Sequence, residues 1–435
     1  MLGGQIETGD GWLKARRTFT LSSDPFLAHH AFGLRRSDAI GEVRGLPVIP
    51  FTFSMELVAE AAARLAGWDS ARLTLSGLNA VRWLAVDDTL TVEVEAGFAE
   101  RPDTRERAVR VRVFEVLDAS KGQRALAFEG WAQSAAKIPG NPLAAIRPLS
   151  APRVSATQLN ARLFHGPLLK SIRNIAAIDA DGAELTAIIP PVAGLFQGQD
   201  EPALRIPAAL LDAVGQLVFY WLAEQGLQTA GLFPFHIARY IQYAPPPPPG
   251  SSVMLRGRAT LAANKITHAD VDILDPHGLL LARVEGLRMK LYDFDDTYLR
   301  YALGTEPGIR LSERTGGGHR HLDPPPNWFA SETQGIWVRL LARVALNPHE
   351  RLALREVSAN ERLDWTLSRV VAKELALDWL ETRGIHAQAA DIEAVSTGGT
   401  GFMFQGEALN RLATQPRVQT ESGGNGIVAA MESEG

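Results

Sequence analysis

Apolar and polar residues alternate with a period of two along residues 15–21, 72–86, 89–99, 107–117 and 124–135, each stretch bounded by turn-forming residues. Successive side chains of a strand point to opposite faces, so this pattern predicts strands with one covered face. Residues 51–67 (FTFSMELVAEAAARLAG) break the alternation. They are rich in Ala, Leu, Met and Glu, follow Pro50 and stop at Gly67, which predicts one helix among strands. After a Pro-rich stretch at 138–152 the same order recurs: strand-like sequence at 175–189, a long apolar helix at 207–224, then strands at 235–243, 253–262, 267–274 and 279–291. The chain therefore carries a weak internal repeat. A helix wrapped by an antiparallel sheet, made twice, is buried on nearly all sides, which accounts for a second helix that is apolar all round. The prolines at 245–249 read as a rigid connector between strands.

Beyond Tyr292 the character changes. The segment DFDDTYLRYALG, the glycines at 316–318 and the prolines at 324–326 predict a linker. Helical spacing returns at 337–346 and 359–383, and a Gly-, Thr- and Ser-rich stretch from Thr397 onward predicts a partly disordered tail. The expected organisation is a first half at 1–140, a linker at 141–152, a second half at 153–296, a linker at 297–330 and a smaller α/β unit at 331–435.

Composition narrows the chemistry. The chain has 435 residues and a formal net charge of -5, so it lacks the basic excess that binding to a phosphate backbone demands. With no cysteine, disulfides, thiolate metal sites and a cysteine nucleophile are excluded, leaving His, Ser, Asp and Glu. The N-terminal MLGGQIETGDGW has no basic and apolar signal region, and the longest near-apolar run, 206–222, carries an Asp and a Gln. A cytoplasmic protein without a membrane span is expected. Its start in strand-forming sequence suits a piece of a larger polypeptide.

Asp212 is the only charged residue between Arg205 and Glu224, on a helix that otherwise reads as core. Burial disfavours an ionised carboxylate, so the pattern predicts a protonated Asp212 suited to act as a general acid. Gln216, one turn later, lies on the same face and can orient it. A buried Asp that caps a backbone group is the alternative. His29 and His30, in DPFLAHHAFG, precede a turn and then GLPVIP at the start of the first helix. A neutral imidazole there suits a base, and backbone N–H groups near Val48 to Pro50 suit a developing oxyanion. An adjacent His pair in a surface loop is the alternative.

In order, these residues resemble the dehydratase domains of polyketide synthases and polyunsaturated fatty acid synthases, which have a double hotdog fold. Leu27, Ala28, His29 and His30 are similar to the family's Leu-x-Asp-His stretch, with His29 where Asp is usual. Gly45 to Pro50 resembles its Gly-x-x-x-x-Pro. His165, Gly166 and Pro167 resemble Tyr-Gly-Pro, and Leu210, Leu211, Asp212 and Gln216 match Leu-Leu-Asp-x-x-x-Gln. The resemblance spans about residues 8–291. Fourteen residues separate His30 from Gly45 where the family has three, which reads as an insertion at 34–44; His29 has Gly33 at the family spacing, so the choice between the two histidines rests on alignment.

The resemblance implies an α+β double hotdog, two long central helices each wrapped by an antiparallel sheet. It implies a hydro-lyase that removes water from a β-hydroxyacyl thioester, with His30 as base, Asp212 as acid and Gln216 orienting Asp212. Gly45, Val48, Pro50, His165, Gly166 and Pro167 would contact substrate. No cofactor is expected for dehydration itself; the substrate rides on the phosphopantetheine of an acyl carrier protein, with other synthase domains as neighbours and a homodimer as the expected assembly. An isomerase or cyclase using the same two groups, and a non-catalytic docking module, stay open. The third unit resembles the carboxyl-terminal part of a phosphopantetheinyl transferase-like domain through WTLSRVVAKELALDWL, in which Glu374, beside Lys373, would bind magnesium. Asp378 stands where a basic residue is usual, so an inactive unit is expected; an amphipathic helix with an exposed Lys-Glu face is the alternative. His319, His321 and Asp323 lack further ligands at metal spacing, and no metal is expected there.

Overall fold

The computed structural model describes all residues except 34–44, 69–71, 135–140, 148–150, 228–230, 293–296, 304–307, 331–334, 411, 413 and 432–435. The chain divides into two compact units. The first comprises Met1–His30 and Pro47–Asp293, the second Ala31–Leu46 and Phe294–Gly435. The insertion expected at 34–44 lies outside the described residues.

In the first unit, strands β1 (Gln5–Gly9) and β2 (Trp12–Thr20) come first. Two short strands, β3 (Ala31–Phe32) and β4 (Leu46–Pro47), pair where the chain passes out of this unit and back. Helix α1 (Phe51–Ala66) and strands β5 (Leu73–Ala80), β6 (Thr89–Glu100), β7 (Arg107–Asp118) and β8 (Gln123–Ser134) follow. Helix α2 (Ala156–Arg162), strands β9 (Ile172–Ile178) and β10 (Gly182–Ile188), helix α3 (Ala208–Glu224) and strands β11 (Gly231–Gln242), β12 (Ser252–Leu261), β13 (Ile266–Leu274) and β14 (Leu280–Tyr292) complete it.

The expected repeat is present, and its halves fuse. The strands form one twelve-stranded sheet, ordered β1-β2-β6-β7-β8-β5-β11-β14-β13-β12-β10-β9. Each half has the same order read inward, and the halves join where β5 pairs antiparallel with β11, Leu78 opposite Ile237 and Leu75 opposite Tyr240. The two halves are thus one unit with one core. Helix α1 is buried from Phe51 through Ala63, and it stops at Gly67, whose φ of 67° is the left-handed cap that glycine adopts without strain. The apolar α3 is likewise covered on most sides. Glu56 on α1 is buried; its carboxylate accepts the backbone N–H groups of Arg205 and Ile206 and so fixes the chain just before α3. The described part of the Pro-rich connector is laid down by side chains of the second half: Leu143 N–H donates to Asp272, Ile146 N–H to Glu184, and Arg256 donates to the Leu143 carbonyl.

The second unit differs from expectation. Helix α4 (Thr297–Leu303) and strands β15 (Glu313–Gly316) and β16 (His319–Leu322) occupy the segment expected as linker. Helices α5 (Asn327–Ala330), α6 (Ile336–Ala345), α7 (Pro348–Glu356) and α8 (Arg362–Glu381) precede strands β17 (Glu393–Gly398), β18 (Gly401–Gln405), β19 (Arg417–Gly423) and β20 (Gly426–Met431), which fill most of the expected disordered tail. All six strands form one antiparallel sheet, β15-β16-β20-β19-β18-β17, so the unit is α+β rather than α/β. Alternation supplies the reason the tail orders: Val418, Thr420, Ile427 and Ala429 are buried among exposed neighbours. The glycines 316–318 make the β15–β16 turn, all at positive φ.

The described residues Ala31–Gly33 and Gly45–Leu46 also belong to this unit. Gly33 has φ 72°, and a Cβ on it would strike the Ala302 carbonyl and come within 2.6 Å of Val344 Cγ1. Arg343 Nε donates to the Gly45 carbonyl at 3.1 Å. Among the described residues no helix is long and apolar enough to cross a membrane.

Candidate active site

A 3₁₀ turn at Pro25–His29 delivers His30 at the end of the first half's N-terminal segment. The imidazole is buried, and its Nδ1 lies 2.7 Å from the Val48 carbonyl while Val48 N–H donates to the His30 carbonyl at 3.0 Å. A proton on Nδ1 facing that carbonyl leaves Nε2 as the acceptor. Burial lowers the pKa of His30 to about 4, against the opposing pull of Asp212, so the ring is neutral near pH 7.

Asp212 comes from α3. Its Oδ2 is 3.0 Å from His165 Nε2 and accepts Gln216 Nε2 at 2.9 Å. Gln216 Nε2 also donates to the Leu169 carbonyl at 2.7 Å, which pins the amide between the helix and the turn at Pro167–Leu169. One nitrogen of His30, one of His165 and an oxygen of Asp212 all lie within 4.8 Å of one another. The two halves thus bring their chemistry to one point.

The protonation expected for Asp212 is overturned. Burial alone would raise its pKa, but the His165 imidazole, His30 and the Gln216 amide together hold the carboxyl below its ordinary range. Asp212 is therefore ionised near pH 7. The apolar helix supplies the desolvation that the sequence pattern predicts; the partners that outweigh it come from elsewhere in the chain.

Other expected residues fall into different roles. His29 is half-buried; its Nδ1 accepts Leu168 N–H at 3.3 Å and its carbonyl accepts Gly166 N–H at 2.8 Å, so it ties the two halves together. Gly166 sits so close to His29 that a Cβ there would lie 3.0 Å from His29 Cα. Pro167 opens the turn that presents the Leu169 carbonyl. Gly166 and Pro167 thus help to build the loop that carries His165. Gly45 belongs to the second unit, where a Cβ would lie 2.6 Å from the Phe32 carbonyl. The expected oxyanion donors are also spent: Val48 N–H serves His30, Ile49 N–H donates to the Leu84 carbonyl at 2.9 Å, and Pro50 has none. Pro50 instead begins α1, its carbonyl accepting Phe53 and Ser54 N–H.

Sequence reasoning missed Phe164 and Thr52. The Phe164 ring stacks on His165 with centroids 4.0 Å apart and meets His30 edge-on at 5.1 Å, which holds both imidazoles in place. Its position next to His165 was the available signal. Thr52 Oγ1, His165 Nδ1 and Gln216 Oε1 are buried and have no hydrogen-bond partner. Buried polar atoms without partners suit a molecule that brings its own polar groups.

In the second unit, Glu374 cannot serve as an open magnesium ligand. It is fully buried, its carboxylate accepting Leu311 N–H at 2.7 Å, Ser312 N–H at 2.8 Å and the Ser312 hydroxyl, with Arg320 beside it. Lys373, also fully buried, pairs with Glu350 and donates to the Ala345 carbonyl, so no exposed Lys-Glu face exists. Asp378 is held by Arg314 and Arg320. His321 Nε2 lies 3.0 Å from the Asn425 carbonyl, and His319 and His321 are alternate residues of β16.

Comparison with known proteins follows the same division. The family model described as "Polyketide synthase dehydratase N-terminal domain" matches residues 143–295, which span the second half of the first unit. No curated protein matches the chain. Among solved structures, the dehydratase domain from the CurJ module of curacin polyketide synthase is similar at 14% identity and a TM-score of 0.50, over 66% of this chain and 95% of that one. A variant of the GphF dehydratase is similar at 18% identity and a TM-score of 0.50, over 66% of this chain and 98% of that one. At such identities these likenesses establish the fold, a double hotdog. Over residues 143–295 the chain is similar to the polyketide synthase dehydratase family.

Proposed function

We propose that this chain removes water from a β-hydroxyacyl thioester carried on the phosphopantetheine of an acyl carrier protein, giving an α,β-unsaturated acyl thioester. The observation that carries the reading is the meeting of a neutral, anchored His30 with an ionised Asp212 across the two halves. A thioester carbonyl acidifies the proton on its α-carbon, so a neutral imidazole is the right base for it. The β-hydroxyl needs a proton as its C–O bond breaks.

With His30 neutral and Asp212 ionised, neither group holds a spare acidic proton at the start. In our reading the Asp212 carboxylate first accepts a hydrogen bond from the β-hydroxyl and orients it. His30 Nε2 then takes the α-proton, and the imidazolium that results sits beside the carboxylate. That proton passes to the departing oxygen, directly or through Asp212. The α-proton and the hydroxyl leave together as one water, and both residues regain their starting charges. His165 and Gln216 act as positioning residues, since their hydrogen bonds fix Asp212.

Incubation of the chain with a 3-hydroxybutyryl carrier protein tests this by mass spectrometry. Loss of one water from the carrier-bound acyl group is expected. A carrier that binds but keeps its mass would favour a docking role.

A further inference from the structure

Beside Asp212 lies a small cavity of about 30 Å³, lined by Asp212 but by neither His30 nor His165. Its other walls come from both central helices and from β11 and β14, among them Met55, Leu211, Gly215, Val284 and Leu287. These five are apolar or lack a side chain. Thr52 supplies a polar atom on the wall, and its hydroxyl has no partner, which leaves it for a bound molecule or water.

Gly215 bears on what the space is for. A glycine inside a helix costs roughly 0.5–1 kcal/mol relative to alanine, so its place in the middle of the seventeen-residue α3 calls for a reason. Gly215 lines the cavity, and a Cβ there would approach Met289 Cε to 3.3 Å. The glycine keeps room open beside Asp212.

We infer that this cavity receives the substituent on the β-carbon of the substrate and limits it to about one or two carbons. The inference rests on the dehydratase reading. If Asp212 holds the β-hydroxyl, the β-carbon lies beside the cavity that Asp212 lines, which leaves that cavity to its substituent. A water needs at least about 10–15 Å³ by this measure, so the volume suits roughly two water-sized groups. The buried walls leave little room for more: Met55, Leu211, Val284 and Leu287 are each 3% exposed or less. The preferred substrates are therefore 3-hydroxybutyryl and 3-hydroxypentanoyl thioesters, and longer chains must force the core apart.

The test measures kcat/KM for 3-hydroxybutyryl, 3-hydroxypentanoyl and 3-hydroxyoctanoyl carrier proteins with the full chain. The octanoyl substrate should fall at least about tenfold below the butyryl one, the scale on which pockets sense chain length. Gly215→Ala should lower the pentanoyl-to-butyryl ratio, and Val284→Ala should raise the octanoyl-to-butyryl ratio. Octanoyl turnover as fast as butyryl in the unaltered chain would overturn the inference whatever the variants do. Failure to dehydrate any of the three would instead remove the dehydratase reading on which it stands.

Discussion

A shift of pH from 7.5 to 5.5 separates the burial-controlled His30 from an ordinary histidine. Burial holds its pKa at about 4, compared with about 6.5 for a solvated imidazole. A depressed folded-state pKa means that the neutral, reactive form persists as pH falls and is lost only on passing through the lowered value. At pH 5.5 an imidazole of pKa about 4 is still roughly 97% neutral, while one at 6.5 is about 9% neutral. The expected kcat/KM for dehydration is therefore nearly flat from pH 7.5 to 5.5, with the acid limb below about pH 5. Because the partners of Asp212 keep it ionised, no alkaline decline should arise from loss of a carboxyl proton. The assay is initial-rate formation of the unsaturated thioester on the carrier protein, in buffers of matched ionic strength. A fall of about tenfold between pH 7.5 and 5.5 would refute the burial argument for His30. A decline setting in at the pH where carboxyl groups lose protons would show that Asp212 must start out protonated.

Other substitutions divide the site by role. His30→Ala should abolish dehydration, whereas His29→Ala, which loses the contact to Leu168 N–H, should keep much of it; turnover assays giving the reverse order would reassign the base. Asp212→Asn keeps size and polarity and should cut kcat by a factor of about 10²–10⁴ with little change in thermal unfolding. Gln216→Ala removes one orienting bond worth about 0.5–1.5 kcal/mol, or more with an ionised partner, and should cost less in rate than Asp212→Asn. Equal small losses with a large drop in melting temperature would make the pair structural. The full chain, incubated with coenzyme A, magnesium and an apo carrier protein, should leave the carrier unmodified because Glu374 is already enclosed by Leu311, Ser312 and Arg320. A mass gain on the carrier would contradict this.

Period-two alternation made most long strands of the first unit legible, because a sheet that covers a helix on one face writes that face into every second residue; it missed β1, β3 and β4 and ran β9 and β10 together. The helix at 51–67 could be read for the same kind of reason, with Pro50 before it and a left-handed Gly67 after it. The fusion of the halves through β5 and β11 was not legible, since nothing local in SGLNA or HIARY names its partner. Nor was the second unit: Gly- and Pro-rich punctuation at 316–318 and 324–326 marks turns of a small sheet as readily as a linker. The four-residue strands β15 and β16 are too short for alternation to show. The family spacing between His30 and Gly45 also misled in one respect. It gave no sign that Gly33 and Gly45 fold with a segment more than 250 residues away in sequence.

Asp212 shows where reasoning from one helix stops. Desolvation is a property of the surroundings on average, and an apolar helix reports it well: burial is indeed the largest influence on this carboxyl group, and it acts upward. Hydrogen bonds are particular. Gln216, four residues on, was readable from helical geometry, but His165 reaches Asp212 from a loop forty-seven residues earlier, placed there by the turn at Pro167–Leu169 and by Gly166 packing on His29. The motif was visible as His165, Gly166 and Pro167, yet only the fold reveals that its histidine faces the acid and its glycine packs on His29. The same loop supplies Phe164, which braces both imidazoles. A charge that looks costly on its own helix is therefore kept, because residues distant in sequence supply the donors that water would otherwise give. In the proposed dehydration, that ionised state obliges the reaction to recycle the α-proton rather than to start from a stored one.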